Sequence, residues 1–127
     1  MVGNYLPDTN VLIYSLKGIE PYSSWFSKVV QEKRLQISVI VVAEFLVGAT
    51  KEDEAVMKLL LSKFGSVPVD RTVAETGANY KKSFAIKTKK VWMSDCLIAG
   101  TCKVLGSTLV TANKKDYPMK DIKILTL

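Results

Sequence analysis

The sequence contains no histidine and only two cysteines among its 127 residues. Without histidine there is no Ser-His-Asp triad, no Cys-His dyad and no His-ligated zinc, and two cysteines alone do not complete a zinc site. Cys96 and Cys102 fall in one predicted helix, about 9 Å apart along its axis, whereas a disulfide needs Cα atoms within about 7 Å. We therefore predict free, buried thiols, and we expect any catalysis to depend on carboxylates and a hard cation such as Mg²⁺ or Mn²⁺.

Long hydrophobic runs are missing as well. No apolar stretch reaches the ~18 residues that a spanning helix needs, and MVGNYLPD at the start lacks the basic-then-apolar layout of a signal peptide. These absences predict a cytoplasmic protein that does not contact a membrane. The length predicts a single domain over residues 1–127. The net charge of +6 and the pI near 9.3 favour a polyanionic partner.

Short β-branched or aliphatic runs alternate with helical patterns along the chain. The predicted strands are Tyr5–Leu6, Leu35–Ile37, Val67–Val69, Thr108–Val110 and Ile122–Leu125. Between them we predict helices, with Asp70 and Ser94 at helix starts and with Gly65 and Gly106 just past helix ends. This alternation indicates an α/β/α domain, in which helices cover both faces of a central parallel sheet of four to five strands.

Four acidic residues lie in surroundings so apolar that simple solvation does not explain them. Asp8 follows the first strand in YLPDTNVLIY, and Asp116 follows a later strand in LVTANKKDY. Glu44 lies within IVVAEFLVG and Asp95 within WMSDCLIAG, both of which have helical patterns. Burying a charged group is costly unless something compensates the charge. Each of these positions therefore needs a structural or a functional reason.

Structural reasons exist for all of them. Asp8 can cap a helix, and Glu44 can lie on a narrow exposed stripe. Asp95 can complement a helix dipole, and Asp116 can start a turn. In a right-handed parallel α/β domain, however, strand ends and the starts of helices that follow crossovers meet at one edge of the sheet. The shared topology favours a common site, where the carboxylates would repel one another without one or two divalent cations.

Four segments follow one another along the chain: DTNVLI at 8–13, VAEFLVG at 42–48, DCLIAG at 95–100 and TANKKDY at 111–117. In this order and spacing, over residues 5–125, the chain resembles a PIN domain, and within that group the small VapC-type toxin ribonucleases of bacterial and archaeal toxin–antitoxin pairs. No single segment is specific, but the ordered set is. Two departures are Pro7 in the first strand and KTKKVWMSD, which lacks the usual Gly and Pro before Asp95.

The resemblance implies a metal-dependent endoribonuclease that leaves a 5′-phosphate and a 3′-hydroxyl. It implies that Asp8, Glu44, Asp95 and Asp116 hold Mg²⁺ or Mn²⁺, directly or through water. By the same resemblance, Thr9 and Asn10 cap and orient the first helix, and Thr111 and Asn113 shape the site and position the last carboxylate. It further implies a homodimer that a cognate antitoxin protein holds inactive.

A lysine-rich stretch without carboxylates spans residues 76–94. Its lysines are Lys81, Lys82, Lys87, Lys89 and Lys90, and aromatic residues, among them Trp92, are interleaved with them. One interpretation is a solvated helix face, which most charge runs are. The other is an RNA-binding track beside the site, where the lysines contact phosphates and Trp92 stacks on a base.

Two other functional classes remain open. The first is a non-catalytic RNA-binding or scaffold protein on the same fold, because a fold does not determine a function. The second is a Mg²⁺-dependent phosphoryl-transfer α/β domain, either a receiver or a phosphatase of the haloacid-dehalogenase type. Such a phosphatase needs D-x-D, whereas the third position here is Asn10, and a receiver needs an acidic pair that this chain lacks before Asp8.

Overall fold

The computed structural model describes residues 3–85 and 91–127 of the chain. Within these ranges, one strand comes first, six helices follow it, and two further strands come after the helices. The elements in chain order are β1 (Tyr5–Pro7), α1 (Thr9–Leu16), α2 (Tyr22–Gln31), α3 (Val39–Val47), α4 (Lys51–Phe64), α5 (Arg71–Ala85), α6 (Met93–Leu105), β2 (Thr108–Thr111), a 3₁₀ turn (Lys114–Asp116) and β3 (Lys123–Thr126).

The sheet is parallel, with the strand order β1-β2-β3. Tyr5 is the partner of Thr108 in β2, and Thr108 is in turn the partner of Lys123 in β3. Two further segments continue the sheet beyond β1 through single parallel bridges, Tyr5 with Leu35 and Ser38 with Val67. Five chain segments therefore run parallel, which confirms the predicted α/β architecture.

The predicted strands at 35–37 and 67–69 are reduced to those single bridges. Around the second bridge, Val67 N donates to Ile37 O at 2.7 Å and Val39 N donates to Val67 O at 3.0 Å. The pairing stops there because α3 begins at Val39 and because Pro68 has no N–H to donate to a ladder. Both strand predictions depended on aliphatic composition. The start of α3 and the missing N–H of Pro68 shorten the strands despite that composition.

Helices α5 and α6 approach each other at two glycines. A Cβ atom placed on Gly100 of α6 would lie 3.1 Å from the backbone N of Gly77 and 3.3 Å from the carbonyl O of Val73, both in α5. Those backbone atoms cannot rotate out of the way, so a side chain at Gly100 would separate the helices. The close contact fixes α6, which carries Asp95, against α5.

Helix ends agree with the sequence predictions at three positions of four. Asp70 caps α5, since its Oδ1 accepts from Val73 N at 2.9 Å. Gly65 follows α4 and Gly106 follows α6, each with a φ of 69°. Residues other than glycine rarely adopt this backbone conformation. Ser94 is not the cap of α6. The helix begins one residue earlier, at Met93, and Trp92 precedes it without a side-chain cap.

The hydrophobic core lies between the sheet and the helices that flank it. Leu6, Leu12, Val41 and Leu109 are fully buried in it, and so is Cys96. Both cysteines are free and buried, as predicted. Over the described ranges, no helix is long and apolar enough to cross a membrane.

Candidate active site

A small pocket of about 160 Å³ lies where β1 and β2 end. The side chains of the predicted acidic quartet all line it: Asp8, Glu44, Asp95 and Asp116. Asp8 directly follows β1, and Asp116 ends the 3₁₀ turn that follows β2. Glu44 comes from α3 and Asp95 from the first turn of α6. Two strand ends and two helices therefore bring together carboxylates that are far apart in the sequence.

Asp8 is the most firmly held of these side chains. Its Oδ1 accepts from Val11 N at 3.1 Å and caps α1, while its Oδ2 accepts from Thr111 Oγ1 at 2.6 Å. Its own backbone N donates to Val110 O at 2.9 Å. The residue is 8% exposed, and burial raises its pKa, although the hydrogen bond from Thr111 opposes the rise. The helix-cap and active-site interpretations of Asp8 are thus both compatible with its contacts.

The two threonines of the predicted site contact carboxylates. Thr111 donates to Asp8 and accepts from Asn113 N at 3.1 Å, and Asn113 Nδ2 donates to Asp116 Oδ2 at 3.2 Å. Thr9 does not cap α1, because Asp8 does so, and instead its hydroxyl donates to Glu44 Oε1 at 2.6 Å.

Asn10 also lines the pocket, from an exposed position in the first turn of α1. Its side chain is therefore beside the carboxylates, and the cap of α1 comes from Asp8 rather than from Asn10.

Two described residues that line the pocket were not predicted from the sequence, the apolar Ile98 and the polar Tyr117. The ring of Tyr117 is 3% exposed, and its hydroxyl lies 3.4 Å from Asp8 Oδ2 and 3.3 Å from Asp95 Oδ1. Both distances exceed the roughly 2.7–2.8 Å typical of O–H···O bonds, so one proton is shared weakly between the two carboxylates. Tyr117 is the last residue of the TANKKDY segment. In the family that this segment resembles, either Phe or Tyr stands at this position, so the segment does not predict a hydroxyl that contacts two carboxylates.

The pocket is electrostatically unbalanced. No Lys or Arg of the described chain lines it. Burial raises the pKa of Asp95 to about 6, and the negative charges of Asp116, Glu44 and Asp8 add to the rise. Like charges that are partly removed from water favour the protonated acid unless a cation compensates them. A divalent cation in this pocket would remove that cost.

The donor chemistry fits Mg²⁺ or Mn²⁺, which prefer carboxylate and water oxygens. Within residues 3–85 and 91–127, however, no three acidic, His or Cys side chains are grouped closely enough to hold an ion together. Mg²⁺ usually keeps several of its waters and takes only one or two carboxylates directly. The arrangement therefore fits an ion that some of these residues contact directly and the others contact through water.

The predicted RNA-binding stretch is only partly described. Lys87, Lys89 and Lys90 lie outside the described residues. Lys82 is exposed, and Trp92 is 58% exposed, where it precedes α6. Lys81 is half-buried, and its ammonium donates to the carbonyl of Val91, which links α5 to the start of α6. An RNA-binding role for these residues stays a prediction.

Comparison with known proteins assigns the fold to a family. The family model described as "PIN domain" matches residues 5–123. The chain belongs to the PIN domain family. Ribonuclease VapC10 of Mycobacterium tuberculosis is 27% identical to it over 114 residues, which cover 90% of this chain and 86% of that protein.

Solved structures extend the likeness over nearly the whole chain. VapBC2 from Rickettsia felis, solved with a DNA fragment from its promoter, superposes with a TM-score of 0.82 at 21% identity, over 97% of this chain and 98% of that one. At that identity the likeness shows the fold alone. A toxin–antitoxin complex from Klebsiella pneumoniae superposes with a TM-score of 0.77 at 25% identity, over 97% of each chain.

The electrostatics of this PIN domain predict that Asp95→Asn raises its stability when no metal is bound. In the folded protein the pKa of Asp95 is about 6, above the ordinary value of 3.8, so the protonated acid is the stabilising form. That stability is fully present below about pH 4 and is lost as pH rises through about 6. The amide of the variant cannot ionise, so thermal unfolding in EDTA at pH 7.5 should show a gain of about 1–2 kcal/mol. This is less than the roughly 3 kcal/mol of a full two-unit shift, because Asp95 is partly exposed to solvent.

The matched control is Glu54→Gln, which removes an exposed carboxylate from the first turn of α4. It should not raise the melting temperature. Equal responses of the two variants, or a gain for Asp95→Asn that is the same at pH 4 and pH 7.5, would contradict the electrostatic account.

Proposed function

We propose that this chain is a metal-dependent endoribonuclease and the toxin of a toxin–antitoxin pair. The observation that carries the proposal is the pocket of four carboxylates, without a cationic residue in its described lining, at the strand ends of a PIN domain. The similarity to Ribonuclease VapC10 supports RNA as the substrate. The net charge of +6 supports a polyanionic substrate in general.

In this proposal, the carboxylates hold Mg²⁺ or Mn²⁺ and the surrounding residues orient the carboxylates. A bound divalent ion would activate a water and neutralise charge that develops on the phosphate. The chain has no histidine, so no imidazole is present to activate the water as a base. Asp8 keeps its orientation through Thr111 and the cap of α1. Thr9 orients Glu44, and Asn113 orients Asp116. Partners of this kind fix the ligand geometry before the metal binds.

Of the two other functional classes, one is excluded and one remains. Membership of the PIN family removes the receiver and phosphatase interpretations. A non-catalytic RNA-binding or scaffold protein on the same fold is the competing proposal, and a cleavage assay decides between the two. The full acidic quartet favours the enzyme, because four carboxylates around one pocket repel one another and a phosphate, which gives an RNA-binding scaffold no advantage.

The same proposal includes the biological setting. The chain acts in the cytoplasm as a homodimer, and an antitoxin protein blocks it. The similarity to the Klebsiella pneumoniae toxin–antitoxin complex supports the antitoxin partner. The free state of both cysteines agrees with a reducing compartment. Co-purification with the product of a neighbouring gene tests the partnership. A monomer that binds no such product would overturn it.

The central test is the substitution Asp8→Asn. Asparagine is as good a helix cap as aspartate, so α1 is retained while one metal-binding charge is lost. The rate of cleavage of single-stranded RNA in Mg²⁺ or Mn²⁺ should fall by more than about 100-fold, since loss of a residue that only supports a metal ligand already costs about 10–100-fold. EDTA should abolish cleavage by the unchanged protein, and added Mg²⁺ or Mn²⁺ should restore it. Cleavage that survives both treatments would sink the proposal.

A second prediction concerns the hydroxyl of Tyr117. Tyr117→Phe keeps the buried ring but removes the donor that Asp8 and Asp95 share. The affinity for Mn²⁺, measured by calorimetry without RNA, should weaken by about tenfold, as is typical when a residue that orients a metal ligand is lost.

The control for this variant is Tyr80→Phe. Tyr80 is also a buried tyrosine whose hydroxyl donates to a carboxylate, in this case Asp121 at 2.7 Å, which does not line the acidic pocket. Its loss should leave the affinity for Mn²⁺ unchanged. If the two variants bind Mn²⁺ equally well, Tyr117 is a packing residue and nothing more.

A further inference from the structure

A second pocket, of about 440 Å³, lies directly beside the acidic pocket. Tyr117 lines both, so the two spaces share one buried residue. Lys114 and Lys120 line the second pocket together with the apolar side chains of Pro118, Ile122 and Ile124. No carboxylate belongs to its described lining. An acidic and a basic pocket therefore meet at Tyr117.

The two lysines are exposed and available for a ligand. Among the described residues, neither takes part in a salt bridge. The acidic residue that follows Lys120, Asp121, is already engaged, since it accepts from the hydroxyl of Tyr80 at 2.7 Å and lies 3.5 Å from Lys103 Nζ. Asp116 accepts from Asn113 on the side of the acidic pocket. Among the described residues, neither Lys114 nor Lys120 is therefore paired with Asp116 or Asp121 in a salt bridge.

A flat ring could pack against the apolar part of the pocket. Pro118, Ile122 and Ile124 are half-buried, which leaves part of each side chain open to a ligand. Its volume of about 440 Å³ falls within the range of roughly 300–1,000 Å³ in which small molecules bind. A nucleotide combines a ring with apolar faces and an anionic phosphate, and this pocket offers complementary chemistry to both.

We propose that this pocket binds one nucleotide of the RNA strand, the one adjacent to the scissile phosphate. Its base packs on Pro118, Ile122 and Ile124, and its phosphate contacts Lys114 and Lys120. The inference rests on the proposed function and deepens it, because it gives the strand a path out of the acidic pocket across Tyr117. This path leads from β2 towards β3.

The first test measures how RNA binding depends on salt. Binding of a single-stranded RNA is measured in EDTA, where the proposed function predicts no cleavage, for the unchanged protein and for Lys114→Ala combined with Lys120→Ala. Each phosphate contact that is lost should reduce the log–log salt slope by about 0.7, so the slope should fall by about 1.4.

The control combines Lys28→Ala with Lys58→Ala. These lysines are exposed on α2 and α4 and line neither pocket, and their loss removes the same net charge. Its slope should stay close to that of the unchanged protein. Equal slopes for the two double variants would overturn the inference.

The second test locates the base. In a short RNA with one cleavage site, an abasic sugar replaces each nucleotide in turn. One position beside the scissile bond should show a loss of affinity, and Ile122→Ala should make that loss smaller while leaving the other positions unaffected. Melting temperatures establish that the variant is folded. A scan with no sensitive position next to the scissile bond would refute the base contact.

The outcomes separate this inference from the function on which it rests. If the unchanged protein neither binds nor cleaves RNA, the proposed function itself fails. If it cleaves RNA in Mg²⁺ but the lysine variant and its control behave alike, only the nucleotide pocket fails. If the lysine variant loses a protein partner and keeps its full affinity for RNA, the pocket is a protein-binding site and the inference is wrong.

Discussion

The hydrogen bonds of Asp8 hold together the parts of the molecule that form the acidic pocket. One carboxylate oxygen caps α1, the other accepts from Thr111 at the end of β2, and the backbone N donates to Val110. One residue thus joins the first strand, the first helix and the second strand. The cost of burying the carboxylate is met by donors from elements on which the fold already depends. The most buried acid of the site is therefore also part of the framework.

The chain as a whole and its acidic pocket carry opposite charge. At long range the chain is basic, with a net charge of +6, and attracts a polyanion. Inside the pocket only carboxylates provide formal charge among the described lining residues, so a phosphate is repelled there. Under the proposed function, a divalent ion reverses the local sign, and each ligand improves the site for the other. Binding of metal and of RNA is then reciprocal, because coupling between two sites acts equally in both directions.

Much of the architecture was predictable because it depends on local patterns. Apolar runs that alternate with helical spacing indicate a parallel α/β domain, and residues such as Asp70, Gly65 and Gly106 mark helix ends by their own backbone chemistry. Two predicted strands became single bridges because aliphatic composition does not reveal how soon a helix starts or that Pro68 interrupts the pairing.

The candidate site was predictable as far as its residues stand in ordered segments. Asp8, Glu44, Asp95 and Asp116 were found in this way, and they line one pocket. The bond from Thr9 to Glu44 and the bridging position of Tyr117 were not predictable, because each depends on where two distant segments meet. The spacing of residues in the sequence predicts which face of one helix or strand they share. It does not predict the distance between side chains of different elements.

The contact between Asp8 and Thr111 also has a consequence for the timing of synthesis. These residues are 103 positions apart, and β1 has no β2 to pair with until residues 108–111 have left the ribosome. A nascent chain that ends before Asp116 lacks part of the pocket, however well its earlier helices have formed. Under the proposed function, RNA cleavage therefore begins only after Asp116 has been synthesised and has left the ribosome. Until then, the ribosome that makes the enzyme is protected from cleavage by it.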